Sequence, residues 1–232
     1  MTKKLVLTLS ILALFASCGT RRGNNTRQNA NTFDEGVVIN GIRWATRNVD
    51  APGTFAETPE SFGMLFQWNR RKGWSATDEN VENWDNSIPE GTEWVRRNDP
   101  CPRGWRIPTR EELISLRDED YGWTNQNGVY GRLFGTVPNQ IFLPATGLRN
   151  AESGVFVNRI RQIGRTGYYW SSSIVENNAG FLWFERGESY NSIRRRIENN
   201  ELYEDEFFFR ESVQVSSGRR TIGFAIRCVA IN

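Results

Sequence analysis

The chain opens with one continuous apolar run. Leu5 to Ala16 is apolar except for Thr8 and Ser10, follows the basic start Met1-Thr2-Lys3-Lys4, and leads through Ala16 and Ser17 to Cys18. A basic head, a short apolar body and small residues at the exit make residues 1–17 a secretory leader. The run is too short for a transmembrane helix, which needs about 20 apolar residues. Polarity then reverses. Residues 18–35 are rich in Asn, Arg and Thr and read as a flexible tether.

From residue 36 onward the apolar positions come in short pieces. Val37-Val38-Ile39 and Ile42-Arg43-Trp44-Ala45 flank Asn40-Gly41, a pair that accepts positive φ and closes a two-residue hairpin. Residues 50–98 read as mostly irregular, with a turn at Asp50-Ala51-Pro52-Gly53. A short helix is expected over Pro59 to Trp68, weakened by Gly63. Trp74, Trp84 and Trp94 are evenly spaced, but their flanks do not match, so they form no repeat. The clearest helix runs from Arg110 to Glu119. Thr109 caps it, Glu112 completes a capping box, Leu113, Ile114 and Leu116 supply its apolar side, and Tyr121-Gly122 ends it. Strands are expected over Gln140–Leu143, Gly154–Ile160, Tyr168–Ser172, Gly180–Phe184 and Thr221–Val229, separated by Gly, Asn and Ser clusters. Residues 185–212 are charged around Phe207-Phe208-Phe209. A stretch this long calls for an extra hairpin or a mobile flap.

Composition narrows the chemistry. Lys3 and Lys4 leave with the leader, so 27 basic residues of the original 29 face 27 acids and the mature chain is neutral. That balance gives no support for a nucleic-acid partner, which calls for concentrated positive charge. Arg194-Arg195-Arg196 lies just before Glu198, Glu201, Glu204, Asp205 and Glu206, so it reads as local pairing. The chain has no histidine. This removes Ser-His and Cys-His pairs and histidine-ligated metals. Carboxylate chemistry stays open, with Asp78, Glu79, Asp85, Glu176 and Glu188 as candidate acids, as does calcium bound through oxygen. Lys72 is the only lysine after the leader, so 26 arginines carry the positive charge beside nine tryptophans. That mixture suits either polar networks among loops or a binding surface.

Cys18 after small residues resembles the lipobox of bacterial lipoproteins, with Phe15 where that motif usually has leucine. Lipid on Cys18 leaves Cys101 and Cys228 as an even pair. In an oxidising compartment the two are expected to join, the alternative being two buried thiols.

Asp99-Pro100-Cys101-Pro102-Arg103-Gly104-Trp105-Arg106-Ile107-Pro108-Thr109-Arg110-Glu111-Glu112-Leu113 resembles the signature of the Fibrobacter succinogenes major paralogous domain family. Three further segments agree: Ile39 to Val49 with the family's opening hairpin, Tyr169-Trp170-Ser171-Ser172-Ser173 with its serine strand, and Gly223 to Val229 with its closing strand. The likeness spans about residues 37–230 and points to exported lipoproteins of Bacteroidales and relatives. It implies an α+β, C-type lectin-like fold for 36–232: short antiparallel strands, one or two helices, long irregular loops, and paired N- and C-terminal strands. It carries fold further than function, since the family's activity is mostly unassigned. Residues 186–218 look longer here than in relatives, and Trp84-Asp85-Asn86 only echoes a lectin calcium motif. From the residues themselves, the signature reads as a fold staple.

The expected protein is therefore an outer-membrane lipoprotein, on the periplasmic or the surface face. It is expected to be a noncatalytic binding or structural module without a cofactor, held to the membrane by its lipid and taking a glycan or a surface protein as partner. The alternatives are a subunit of a fimbrial tip or other surface assembly, and a carboxylate-based glycan-processing enzyme. The candidate ligand-binding residues are Trp74, Trp84, Asp85, Trp123 and Tyr190, with Arg194 at the edge. They lie in polar, turn-rich segments outside the signature.

Overall fold

A computed structural model describes residues 31–78, 81–149, 163–187, 192–198, 201–207 and 212–231. The leader, Cys18, most of the expected tether and the strand expected over Gly154–Ile160 lie outside the described residues. Among the described residues, no helix is long and apolar enough to cross a membrane.

The α+β, lectin-like expectation is corrected by the architecture, which is mostly β. The described residues hold fifteen short strands against one α-helix of eight residues, α1 (Arg110–Arg117). The helix expected over Pro59–Trp68 is absent. Gly63 adopts φ +68, a left-handed conformation that no right-handed helix passes through. Beyond it Met64-Leu65-Phe66-Gln67 forms a strand with three successive buried residues.

The strands form small antiparallel sheets. β1 (Val37–Ile39) and β2 (Ile42–Trp44) make the expected hairpin, with Asn40 and Gly41 both at positive φ. β2 pairs next with the last strand, β15 (Val229–Ala230), through Val229 opposite Trp44, and β15 pairs on its other side with β5 (Trp105–Arg106). The first and last segments therefore share one sheet. A second sheet is β14 (Gly223–Phe224), β3 (Met64–Gln67) and β4 (Gly73–Ser75). A third is the meander β6 (Asp120–Gln126), β7 (Val129–Thr136) and β8 (Asn139–Pro144). A fourth joins β9 (Thr166–Val175), β10 (Asn178–Glu185) and β13 (Ser212–Gly218). The charged segment between β10 and β13 holds a hairpin of its own, β11 (Ser192–Glu198) with β12 (Glu201–Phe207).

The β9–β10–β13 sheet separates two cores. Side chains alternate along a strand, so neighbours go to opposite sides. Tyr169, Leu182 and Phe184 enter one core with Trp44, Leu113, Leu116 and Phe134. Trp170 and Phe181 enter the other with Trp68, Trp105, Phe224 and Cys228.

The signature works as a staple. The Asp99 carboxylate accepts from the amides of Cys101 (2.8 Å) and Ile107 (3.4 Å). Gly104 takes φ +88, and Trp105 packs edge-on to Phe55. Arg106 holds Glu112 through two bonds of 2.8 and 2.7 Å, and Glu112 with Thr109 closes the capping box of α1. Cys101 and Cys228 form a disulfide with Cα atoms 6.1 Å apart. Next to it, Arg227 is fully buried. Its guanidinium donates to Asn48 Oδ1 (3.0 Å), Ala45 O (3.2 Å) and Phe142 O (2.9 Å), and burial pulls it down to about 10.

Candidate functional site

The turn after β3 shapes the irregular loop that follows β4. Asn69 sits at φ +53. It donates to Glu90 O (2.9 Å) and accepts from the Val95 amide (2.9 Å), while Asn98 donates to Asn69 O (2.8 Å). Arg70 donates to the Ser87 carbonyl (3.1 Å) and hydroxyl (2.7 Å) and ion-pairs with Asp85. From the far side, Arg220 donates to Pro89 O (3.1 Å) and Gly91 O (2.8 Å) with its guanidinium over Trp68. The loop lacks a sheet ladder, so these side chains supply partners for its backbone carbonyls.

Held this way, residues 83–91 stand as a ridge between surface hollows. On one side lies a hollow of about 580 Å³ lined by Asn86, Ile88, Asn177, Asn178, Arg219 and Arg220. On the other lies one of about 530 Å³ that includes Arg70, Ile88, Glu90, Arg97 and Asn98. It runs into a third of about 350 Å³, where Gln67, Arg71, Lys72, Trp74, Asn83 and Asp85 contribute. Asn69, Arg70 and Asn98 belong to both of the latter two, and exposed Ile88 to both of the first two. The two smaller hollows thus adjoin, and the large one lies across the ridge at Ile88.

Behind the lining, closed off from the hollows, two polar atoms are unmet. Gln67 is fully buried, and its amide nitrogen donates to Asp85 O (2.6 Å) and Thr221 O (3.0 Å). Two carbonyl acceptors fix which way this amide points. Its oxygen has no partner, and neither has the indole N–H of Trp74. A buried polar atom without a partner costs about 1–3 kcal/mol.

Three of the predicted residues come together here. The rings of Trp74 and Trp84 lie 5.0 Å apart, and Asp85 follows directly. Trp74 is buried, and the Lys72 ammonium covers its ring at 3.8 Å, so the face that would stack on a sugar is occupied. Trp84 is half-buried, and its ring lies where a side chain on Gly223 would need to be. Bonds from the Ser87 hydroxyl and amide, with help from Arg70, hold the Asp85 carboxyl below its usual range. It is committed as an anion to its own turn. Trp123 sits elsewhere, on β6, packed edge-on to Phe184 against the first core. Arg194 lies on β11, with its side chain outside the described structure, and Tyr190 is outside the described residues.

Of the candidate acids, Glu79 and Glu188 are also outside the described residues. Asp78 receives Arg149 on its backbone oxygen (2.6 Å), and Glu176 turns between β9 and β10 at φ +56. The sequence reading missed Gln67, Asn69, Arg70, Arg71, Asn83, Asn98 and Arg97. The available signal was Asn69-Arg70-Arg71-Lys72, a cationic run in a turn that holds the only lysine beyond Lys4. No protein-family profile, curated protein or solved structure matches this chain.

Proposed function

We propose that this chain is a noncatalytic glycan-binding lipoprotein of the outer membrane, belonging to the Fibrobacter succinogenes major paralogous type. The leader 1–17 would export it and lipid on Cys18 would hold it. The observation that carries the binding reading is the wall of the groove beside the 83–91 ridge. Amides from Asn83 and Asn98 meet the cations of Arg70, Arg71 and Lys72 there. Sugar hydroxyls both donate and accept, so they match such a wall of mixed polarity. The family type is supported by the 99–113 signature and the three segments that accompany it.

A glycan array probed with the purified full-length chain, with and without calcium, tests the binding reading. Saturable binding that weakens in Asn83→Asp or Asn86→Ala, at exposed positions where melting should not change, supports it. A folded chain that retains no glycan under either condition overturns it. Mass spectrometry of the N-terminus checks the anchoring separately, with lipid on Cys18 as the expected result.

A further inference from the structure

The groove carries more positive charge than the chain as a whole. Arg70 is neutralised by Asp85. Arg71, Lys72 and Arg97 then share the two smaller hollows with one further carboxylate, Glu90. All three cations are exposed. Arg71 spends one nitrogen on Asp99 O, Lys72 rests on the Trp74 ring, and Arg97 enters no ion pair among the described residues. The large hollow across the ridge adds Arg219 and Arg220. Cations therefore stand on both sides of the ridge, in a chain whose formal net charge is only +2. A clustered field of one sign raises the local concentration of the opposite sign.

We infer that the ligand is a linear polyanionic glycan, with carboxylate or sulfate groups on successive sugars, lying along the three hollows. This rests on the glycan reading above and deepens it. Three facts carry it: the succession of hollows on both sides of one ridge favours a polymer over a single sugar; the cations on both sides favour repeated negative charge; and the occupied Trp74 face shifts recognition from stacking to charge and amide contacts. Amides from Asn83, Asn177 and Asn178 are placed for the hydroxyls between charges.

The test immobilises polygalacturonate, its fully methyl-esterified neutral form, heparin and a single-stranded DNA oligomer, and measures binding of the full-length chain by biolayer interferometry. The expected result is binding to polygalacturonate, to heparin or to both at least about tenfold tighter than to the neutral ester, a preference that shrinks as salt shortens the Debye length. Preference between the two anionic arms identifies carboxylate or sulfate as the recognised group. Lys72→Gln with Arg97→Gln, both at exposed positions, should weaken anionic binding about tenfold at unchanged melting temperature, and Lys72→Arg should retain it. The comparison with the neutral ester needs no variant. Equal binding to the neutral ester, indifferent to both substitutions, overturns the polyanion and leaves the glycan reading standing. No binding to any polymer overturns both. Tighter binding to DNA than to either anionic glycan also overturns the inference.

Discussion

Two residues of the signature region carry distinct electrostatic loads. Burial pushes the Glu112 carboxyl up, but the Arg106 fork and the Thr109 amide more than offset this and hold it below the usual glutamate range. A carboxyl depressed in the folded state adds stability above its unfolded pKa and loses it as pH falls through the folded value. Glu112→Gln should therefore lower stability at neutral pH by about 1 kcal/mol, because glutamine can keep the bond to the Thr109 amide but not the charged pair with Arg106. The gap from the parent should close in acid, as read from urea midpoints across a pH series. Asp99 runs the other way, because burial raises it despite the Cys101 and Ile107 amides. Its anion costs stability at neutral pH, and the cost fades as pH falls. Arg227 is the stronger case. Arg227→Met leaves Asn48 Oδ1, Ala45 O and Phe142 O without their donor, and should cost about 3–5 kcal/mol by urea unfolding. Arg227→Lys keeps the charge but not the fork, so its loss should be smaller but clearly measurable.

At the scale of elements, legibility followed locality. Asn40-Gly41 and Thr109 with Glu112 act within a few residues, and both the hairpin and the capped helix are where the sequence puts them. The pair β6–β7 went unread although Asn127-Gly128 carries the same turn signal, with both residues at positive φ. Gly122, Gly131 and Gly135 interrupt the flanks, so the alternation of apolar side chains is lost there. Gly131 itself is required because Leu143 O and the Phe142 ring occupy the space of a side chain. The groove was harder still. Gln67 meets Asp85 and Thr221 only through packing of distant segments, and no spacing rule encodes that meeting. The β11–β12 hairpin gives a prediction at this scale. Glu185 pairs directly with Ser212, so the sheet closes without it. Replacing residues 188–210 by Asn-Gly should leave the unfolding free energy from urea titration unchanged to within about 1 kcal/mol, since a shorter loop also closes at lower entropic cost.

For the whole molecule, the disulfide joins parts 127 residues apart in sequence, the entrance to the signature and the residue directly before β15. Replacing Cys101 and Cys228 by alanine should lower stability by about 2–5 kcal/mol, measured by thermal or urea unfolding against the oxidised parent. Circular dichroism should show the same strand content, because the two cores themselves contain apolar side chains from nearly every sheet.

The same covalent loop divides the molecule mechanically. The ridge and the two smaller hollows, residues 67–98, precede Cys101, whereas Asn177, Asn178, Arg219 and Arg220 fall between the two cysteines. Tension entering before β1 and leaving through the ridge never crosses the disulfide. It is opposed by noncovalent contacts only, core packing together with hydrogen bonds such as Ala45 to Cys228 and Val49 to Ile226. Tension leaving through the large hollow has its extension capped by the sulfur bond. In a pulling experiment, rupture is governed by the rate of unfolding rather than by equilibrium stability. A cargo gripped on the ridge alone would load only the chain between β1 and residue 91, and one gripped across both sides would also load the covalent clamp.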